Sequence, residues 1–236
     1  MARPDLSASL LERLRAVDTP TVCNAIEVAQ GRRGFAAFTR ATPIPSVPEA
    51  PAAVGYAATA IIAGREPPTE DPDVLRARRL EYFRHMAAAP TPSIAVVQDL
   101  DHPECVGAWW GEVHTVVHKG LGMAGALTDG AMRDLGDLAE GFPVIAGSVG
   151  PSHGFVHVRE VGVRVTVLGL EVRPGDLVHA DRHGAVVVPP EVFGTLEAAI
   201  EKLFAAEAVI LGPAREPGFD IAKLETAWKA FERART

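Results

Sequence analysis

GEVHTVVHKGLGMAGALTDGAMRD, residues 111–134, reads as a helix, a strand and a loop that ends on an Arg-Asp pair. Ahead of it, residues 94–98 (IAVVQ) form a short, almost wholly apolar run, the pattern of a strand buried on both faces. Residues 124–128 repeat that pattern, and 143–146 do so again after a stretch, 134–140, that reads as a second helix. Trp109, Val113 and Val116, with Trp110 and Val117, give the first helix an apolar stripe. Strand, helix, strand, helix, strand within about fifty residues predicts parallel crossovers and an α/β fold.

Working outward, Leu10, Leu11 and Leu14 recur at helical spacing within residues 6–17, and Asp18-Thr19-Pro20 stops that helix and caps another to about Gln30. Residues 31–51, with Pro43, Pro45, Pro48 and Pro51, read as a long surface excursion. Residues 54–63 are strand-like, and after Arg65-Glu66-Pro67-Pro68 either Asp71 or Asp73 begins a helix through Met86. Beyond Gly154, short strands at 156–158, 161–168, 176–180 and 185–188 predict a β-rich second layer. Helices over about 190–211 and 221–235 close the chain around Gly212-Pro213. The expected organisation is one α/β domain over residues 1–212 with a helical extension over 213–236.

A chain of 236 residues that is 47% hydrophobic can bury a full core. Its 23 basic and 30 acidic residues give a formal charge of −7, so no global field draws in polyanions, and nucleic acid is not expected as a direct partner. Cys23 and Cys105 cannot make a disulfide framework, and MARPDLSASLLERL lacks the apolar centre of a signal peptide, which points to the cytoplasm. The longest apolar runs are too short to cross a bilayer, so no membrane role is expected.

Thr128 to Asp134 leaves the carboxyl end of a strand, the edge where open α/β sheets bind ligands. Arg133 offers a fork for a carboxylate and Asp134 a hard oxygen for a cation, while a helix start there adds partial positive charge. The plainer alternative is that Asp134 only caps a helix and Arg133 pairs with surface acids. Glu112 is separated from Arg133 by twenty residues, at the start of the preceding helix, and the crossover returns both loop ends to one sheet edge. Gly111, Glu112, Val113 and His114 then present backbone N–H groups beside a carboxylate able to handle a proton. Glu112 can equally serve as a first-turn acid against the helix dipole.

On these residues the chain resembles the RraA-like family, which includes the 4-hydroxy-4-methyl-2-oxoglutarate/4-carboxy-4-hydroxy-2-oxoadipate aldolases. The resemblance rests on the acid-x20-Arg-Asp spacing of residues 111–134, with DTPTVCNAIE (18–27), VGYAATA (54–60) and VRPGDLVHADRHGAVVVP (172–189) in support, over most of residues 8–207. It implies a swivelling β/β/α three-layer fold with N- and C-terminal helices, a homotrimer or homohexamer, and sites at subunit interfaces. It further implies Mg2+ or Mn2+ on Asp134 and waters, and pyruvate held by Arg133 and the amides of Val113 and His114. A glutamate from a neighbouring subunit's C-terminal helix is also implied, for which Glu207 is the candidate, with Glu201 behind it. Two positions depart from the aldolases: Glu112 and Asn24 stand where Asp is usual.

The expected activity is that of a class II carbon-carbon lyase acting on a 4-hydroxy-2-oxo acid or oxaloacetate through a pyruvate enolate. The alternative is a non-catalytic regulator that binds a ribonuclease. A quinone methyltransferase finds no glycine-rich loop suited to a methyl donor. Gly120 to Gly125 matches G-x-G-x-x-G but precedes a strand, where a dinucleotide loop must follow one. His114 and His118 have the spacing of two zinc ligands, yet no third ligand is evident and a polar helix face accounts for them. His179 and His183 read as a solvated hairpin, Trp109 and Trp110 as core or pocket wall, and Cys105 has no base to activate it.

Overall fold

A computed structural model describes residues 6–235. The chain begins with α1 (Ala8–Arg15), α2 (Thr19–Gln30), β1 (Ile44–Pro45), β2 (Ala53–Ala63) and α3 (Pro72–Ala87). Next come β3 (Ser93–Asp99), β4 (Ala108–Trp110), α4 (Glu112–Gly120), β5 (Met123–Thr128), β6 (Ala131–Met132), β7 (Val144–Ala146) and β8 (Ser148–Val149). The β-rich segment follows as β9 (His157–Val161), β10 (Val165–Val167), β11 (Leu170–Val172), β12 (Leu177–Asp181) and β13 (Gly184–Val188), before α5 (Leu196–Arg215) and α6 (Ile221–Arg235).

The chain forms two compact units. The larger comprises residues 14–19 and 37–188. Its main sheet has the order β1-β7-β5-β3-β2-β12-β13, with β9 also paired to β2. The pairs β2–β3, β3–β5 and β5–β7 are parallel, as the alternation of strands and crossovers predicts. One edge of β2 is shared: Ala53 to Tyr56 pair with β12 and Ala60 to Ala63 with β9. On β3, Ala95 and Val97 pack on one side of the sheet with Tyr82, Met86, Trp109, Trp110 and Phe142. Ile94 and Val96 pack on the other with Val165, Val167, Leu170 and Val172 of the β10–β11 hairpin. A sheet clad by helices on one face and by a hairpin on the other is the three-layer α/β arrangement expected from the resemblance.

The smaller unit holds residues up to 13, 20–36 and those from 189 onward, chiefly α5, α6 and most of α1 and α2. Ser9 donates to Glu197 (2.6 Å) and Arg13 pairs with Glu201. Among the described residues no helix is long and apolar enough to cross a membrane.

Four expectations need correction. Residues 134–140 form turns, not a helix, because Asp134 takes a left-handed φ of +54° that a helix cannot continue from. Trp109 and Trp110 lie in β4, not on a helical stripe. Gly111 separates them from α4, whose Val113, Val116 and Val117 are exposed while Thr115 and His118 face inward. The helix that was expected to stop before Gly212 runs on to Arg215, with Pro213 inside its last turn. His179 is wholly buried, donating from Nε2 to the Leu14 carbonyl (2.9 Å), with Nδ1 3.0 Å from the Thr19 hydroxyl. Only His183 of that pair is exposed.

Candidate active site

A parallel three-stranded sheet, β4-β6-β8, joins the two loops that carry the candidate residues. Its register sets Trp110 beside Met132, and the Arg133 N–H donates to the Trp110 carbonyl at 2.7 Å. Gly111, which leads from β4 into α4, is thereby pressed against Arg133 and Asp134. A Cβ on Gly111 would fall 2.5 Å from Asp134 Oδ2 and 3.2 Å from Arg133 Cγ and Nε. The left-handed turn at Asp134 brings its carboxylate back over this contact. Oδ2 accepts the Glu112 N–H (3.2 Å) and lies 3.6 Å from Arg133 Nε. Both side chains are about one-third exposed.

No helix follows Asp134, so the partial positive charge expected from that direction is absent. It comes instead from α4. Gly111 caps α4 with extended backbone and without a side-chain bond, and the N–H groups of Glu112, Val113 and His114 precede the first intrahelical acceptor. One of the three is used by Asp134; those of Val113 and His114 face outward at a helix start whose dipole favours an anion. The Glu112 side chain is exposed and, like the terminal guanidinium nitrogens of Arg133, makes no hydrogen bond among the described residues. Gly111, Glu112, Val113, His114, Arg133 and Asp134 are thus one surface. Glu207 is half-buried on α5 in the smaller unit, and Asn24 is exposed on α2. A cavity of about 740 Å3 is lined by Arg32, Lys202 and Trp228 and one of about 180 Å3 by Asp18 and Asp181; neither is lined by a residue of 111–134.

The histidine pair is not a polar face. His118 is buried, and Tyr82 holds its Nε2 at 2.7 Å. Burial, first of all, pushes the Cys105 thiol far above its ordinary range, consistent with an inert group. In the G-x-G-x-x-G run, Gly120 ends α4 and Gly122 turns the chain at φ +85°, so the glycines serve the turn into β5.

Sequence reading passed over Asp99, the last residue of β3, and Asp129, the residue that follows the adjacent strand β5. Asp129 Oδ1 accepts the Asp99 N–H at 2.7 Å, and its carbonyl meets His102 Nδ1 at 3.1 Å. Asp99 Oδ2 is buried without a hydrogen-bond partner among the described residues. The signal was available: an aspartate at the carboxyl end of each of two neighbouring parallel strands points to that sheet edge. Burial raises both carboxyls, that of Asp129 to about 6. An unfolded aspartate titrates near 3.9, so this contribution to stability is present at low pH and is lost as pH rises through 6. Relative to wild type, Asp129→Asn should therefore gain up to about 3 kcal/mol between about pH 4 and pH 7. Urea unfolding of both proteins across that range checks it, and a difference that does not change with pH contradicts it.

Comparison with known proteins decides the family. The model described as RraA-like, Aldolase/RraA, matches residues 19–187. The chain belongs to the RraA-like family. An uncharacterized protein of Methanocaldococcus jannaschii is 36% identical over 86 residues, covering 36% of this chain and 41% of that one. A putative 4-hydroxy-4-methyl-2-oxoglutarate aldolase of Halalkalibacterium halodurans is 32% identical over 88 residues, covering 36% and 42%. The matches span about two-fifths of the length of these curated relatives. Among solved structures, an uncharacterized protein of Pseudomonas syringae superposes with TM-score 0.71 at 21% identity over 97% of both chains. RraAS2 of Streptomyces coelicolor, an unusual member of the RNase ES inhibitor RraA family, gives 0.64 at 23% over 92% of this chain and 100% of its own. At such identities the superpositions establish the RraA-like fold alone. Aldolases and ribonuclease inhibitors both occur among the names on this fold.

Proposed function

We propose that this protein is a divalent-metal-dependent lyase that releases pyruvate from a 4-hydroxy-2-oxo acid or from oxaloacetate. The observation that carries the reading is the juxtaposition, across Gly111, of the Arg133 guanidinium, the Asp134 carboxylate and the first-turn amides of α4. One carboxylate on an open surface suits Mg2+ or Mn2+, which keep several waters and take substrate oxygens; among the described residues no three His, Cys, Asp or Glu gather into a closed cage. Asp134 would hold the cation. When bound, the cation would supply charge stabilisation for the enolate oxygen.

The chain's own residues supply the rest. Arg133 binds the substrate carboxylate with its two terminal nitrogens, while the Val113 and His114 amides receive its second face. Glu112, exposed at the first position of α4, holds a water that carries protons to and from the reacting carbon, so its longer arm takes the place of the usual Asp. Val113, Val116, Val117 and Leu135 are 37–68% exposed around the site. This exposed apolar rim supports a site completed by a neighbouring subunit in a homotrimer or homohexamer, with Glu207 as its contributed acid.

The test is pyruvate release from oxaloacetate and from 4-hydroxy-4-methyl-2-oxoglutarate with Mg2+ or Mn2+, with and without a chelator. Metal-dependent release is expected. A protein that releases no pyruvate under any of these conditions is not a lyase of this class, and a ribonuclease-binding regulator would then account for the fold.

A further inference from the structure

Under the candidate site, four side chains close a ring of hydrogen bonds. His114 Nδ1–H donates to the Trp109 carbonyl, and the Trp109 indole N–H donates to the Tyr82 oxygen at 3.3 Å. The Tyr82 hydroxyl donates to His118 Nε2 at 2.7 Å, and His118 Nδ1–H donates to the His114 carbonyl at 2.6 Å. Every direction is forced. Carbonyls only accept and an indole N–H only donates, so both imidazoles carry a proton on Nδ1; the Nε2 of neutral His118 is then an acceptor, and the Tyr82 hydroxyl donates to it. Burial pushes Tyr82 up and pushes His118 down to about 4, which keeps the ring neutral.

The consequence falls on His114. Its ring lies against the Trp109 indole with centroids 4.1 Å apart, so it cannot turn freely. Burial first, with the Arg79 and Arg133 charges adding, holds its basicity below the ordinary histidine value. Nδ1 being committed, Nε2 carries the lone pair, and it makes no hydrogen bond among the described residues. Arg133 and the α4 amides at this surface are donors and suit a carboxylate. His114 Nε2 is a neutral acceptor, which suits a hydroxyl and offers nothing to a second carboxylate.

We infer that His114 Nε2 takes the hydroxyl proton of a 4-hydroxy-2-oxo acid, and so favours aldol cleavage of hydroxylated substrates over decarboxylation; this rests on the lyase reading above. The proton passes from the C4 hydroxyl to Nε2, and the C3–C4 bond breaks. Its electron pair forms the pyruvate enolate, while C4 becomes the carbonyl carbon of the second product. The imidazolium then returns the proton through the water on Glu112 to C3, restoring neutral His114 and giving pyruvate. Oxaloacetate decarboxylation forms the same enolate without a hydroxyl proton to remove.

The experiment compares both reactions in wild type and in His114→Gln, which keeps an acceptor but cannot take a proton. The rate of 4-hydroxy-4-methyl-2-oxoglutarate cleavage divided by that of oxaloacetate decarboxylation should fall about 100-fold or more, the usual range for a lost general base. Equal losses in both reactions, or an unchanged ratio, overturn the assignment while leaving the lyase reading in place. Wild type that releases pyruvate from neither substrate removes both. Nitrogen NMR of the wild-type imidazoles provides a readout besides activity: His114 and His118 are expected as Nδ1–H tautomers, and an Nε2–H form of His114 overturns the inference whatever the variant does.

Discussion

Arg133→Ala is expected to lower kcat/KM for metal-dependent pyruvate release by on the order of 1,000-fold, about 4 kcal/mol of transition-state stabilisation. The guanidinium is a cationic fork on the surface formed by Gly111 to His114 and Asp134. Its only described side-chain partner is Asp134, at 3.6 Å. Among the described residues little of the fold depends on it: the backbone bond to Trp110 survives truncation, and a one-third exposed ion pair contributes about 1 kcal/mol or less. Activity should therefore collapse while the unfolding midpoint hardly moves. Arg133→Lys should recover little, because an ammonium cannot reproduce the planar two-point contact. Steady-state kinetics beside urea unfolding checks both halves; a variant that keeps more than about a tenth of wild-type activity contradicts the assigned role.

The second large effect is expected at Gly111. Its φ of −151° and ψ of −169° are open to any residue, so alanine would meet no backbone strain there. The obstacle is the Asp134 carboxylate, 2.5 Å from the new methyl, with Arg133 at 3.2 Å. Two side chains that are only partly buried can move aside, so stability should fall by no more than about 1 kcal/mol. Their movement, though, displaces both groups that hold substrate and cation, and misplacement by about 1 Å is enough for a loss on the order of 100-fold. Gly111→Ala should thus behave as a site variant in kinetics and as wild type in unfolding. Full activity in this variant would falsify the close packing of the two loops.

Much of this was readable in the residues. The apolar runs at 94–98, 124–128 and 143–146 lie in parallel strands because strands buried on both faces lack alternation, and Asp71 caps α3 with Pro72 behind it, as such residues do. The Arg-Asp pair was read as following the strand at 124–128, and it follows β5 and the short β6. What escaped depended on contacts distant in sequence. A left-handed Asp134 leaves no mark on periodicity, and the helix expected there matched the letters well. The 3.6-residue spacing from Trp109 to Val116 was real, but Gly111 splits it, and the β4-β6-β8 sheet draws the tryptophans inward and leaves the valines outside. His118 and His179 looked polar and proved buried, because each found partners far away: Tyr82 in one case, Leu14 and Thr19 in the other.

The pairing of an anion clamp with a cation ligand is the centre of the account. Calorimetric titration with oxalate, a stable mimic of the pyruvate enolate, tests it without turnover. Wild type is expected to bind oxalate when Mn2+ is present and to lose that binding with chelator, in Asp134→Ala and in Arg133→Ala. Oxalate binding that is indifferent to Mn2+, or that persists in Asp134→Ala, would contradict it.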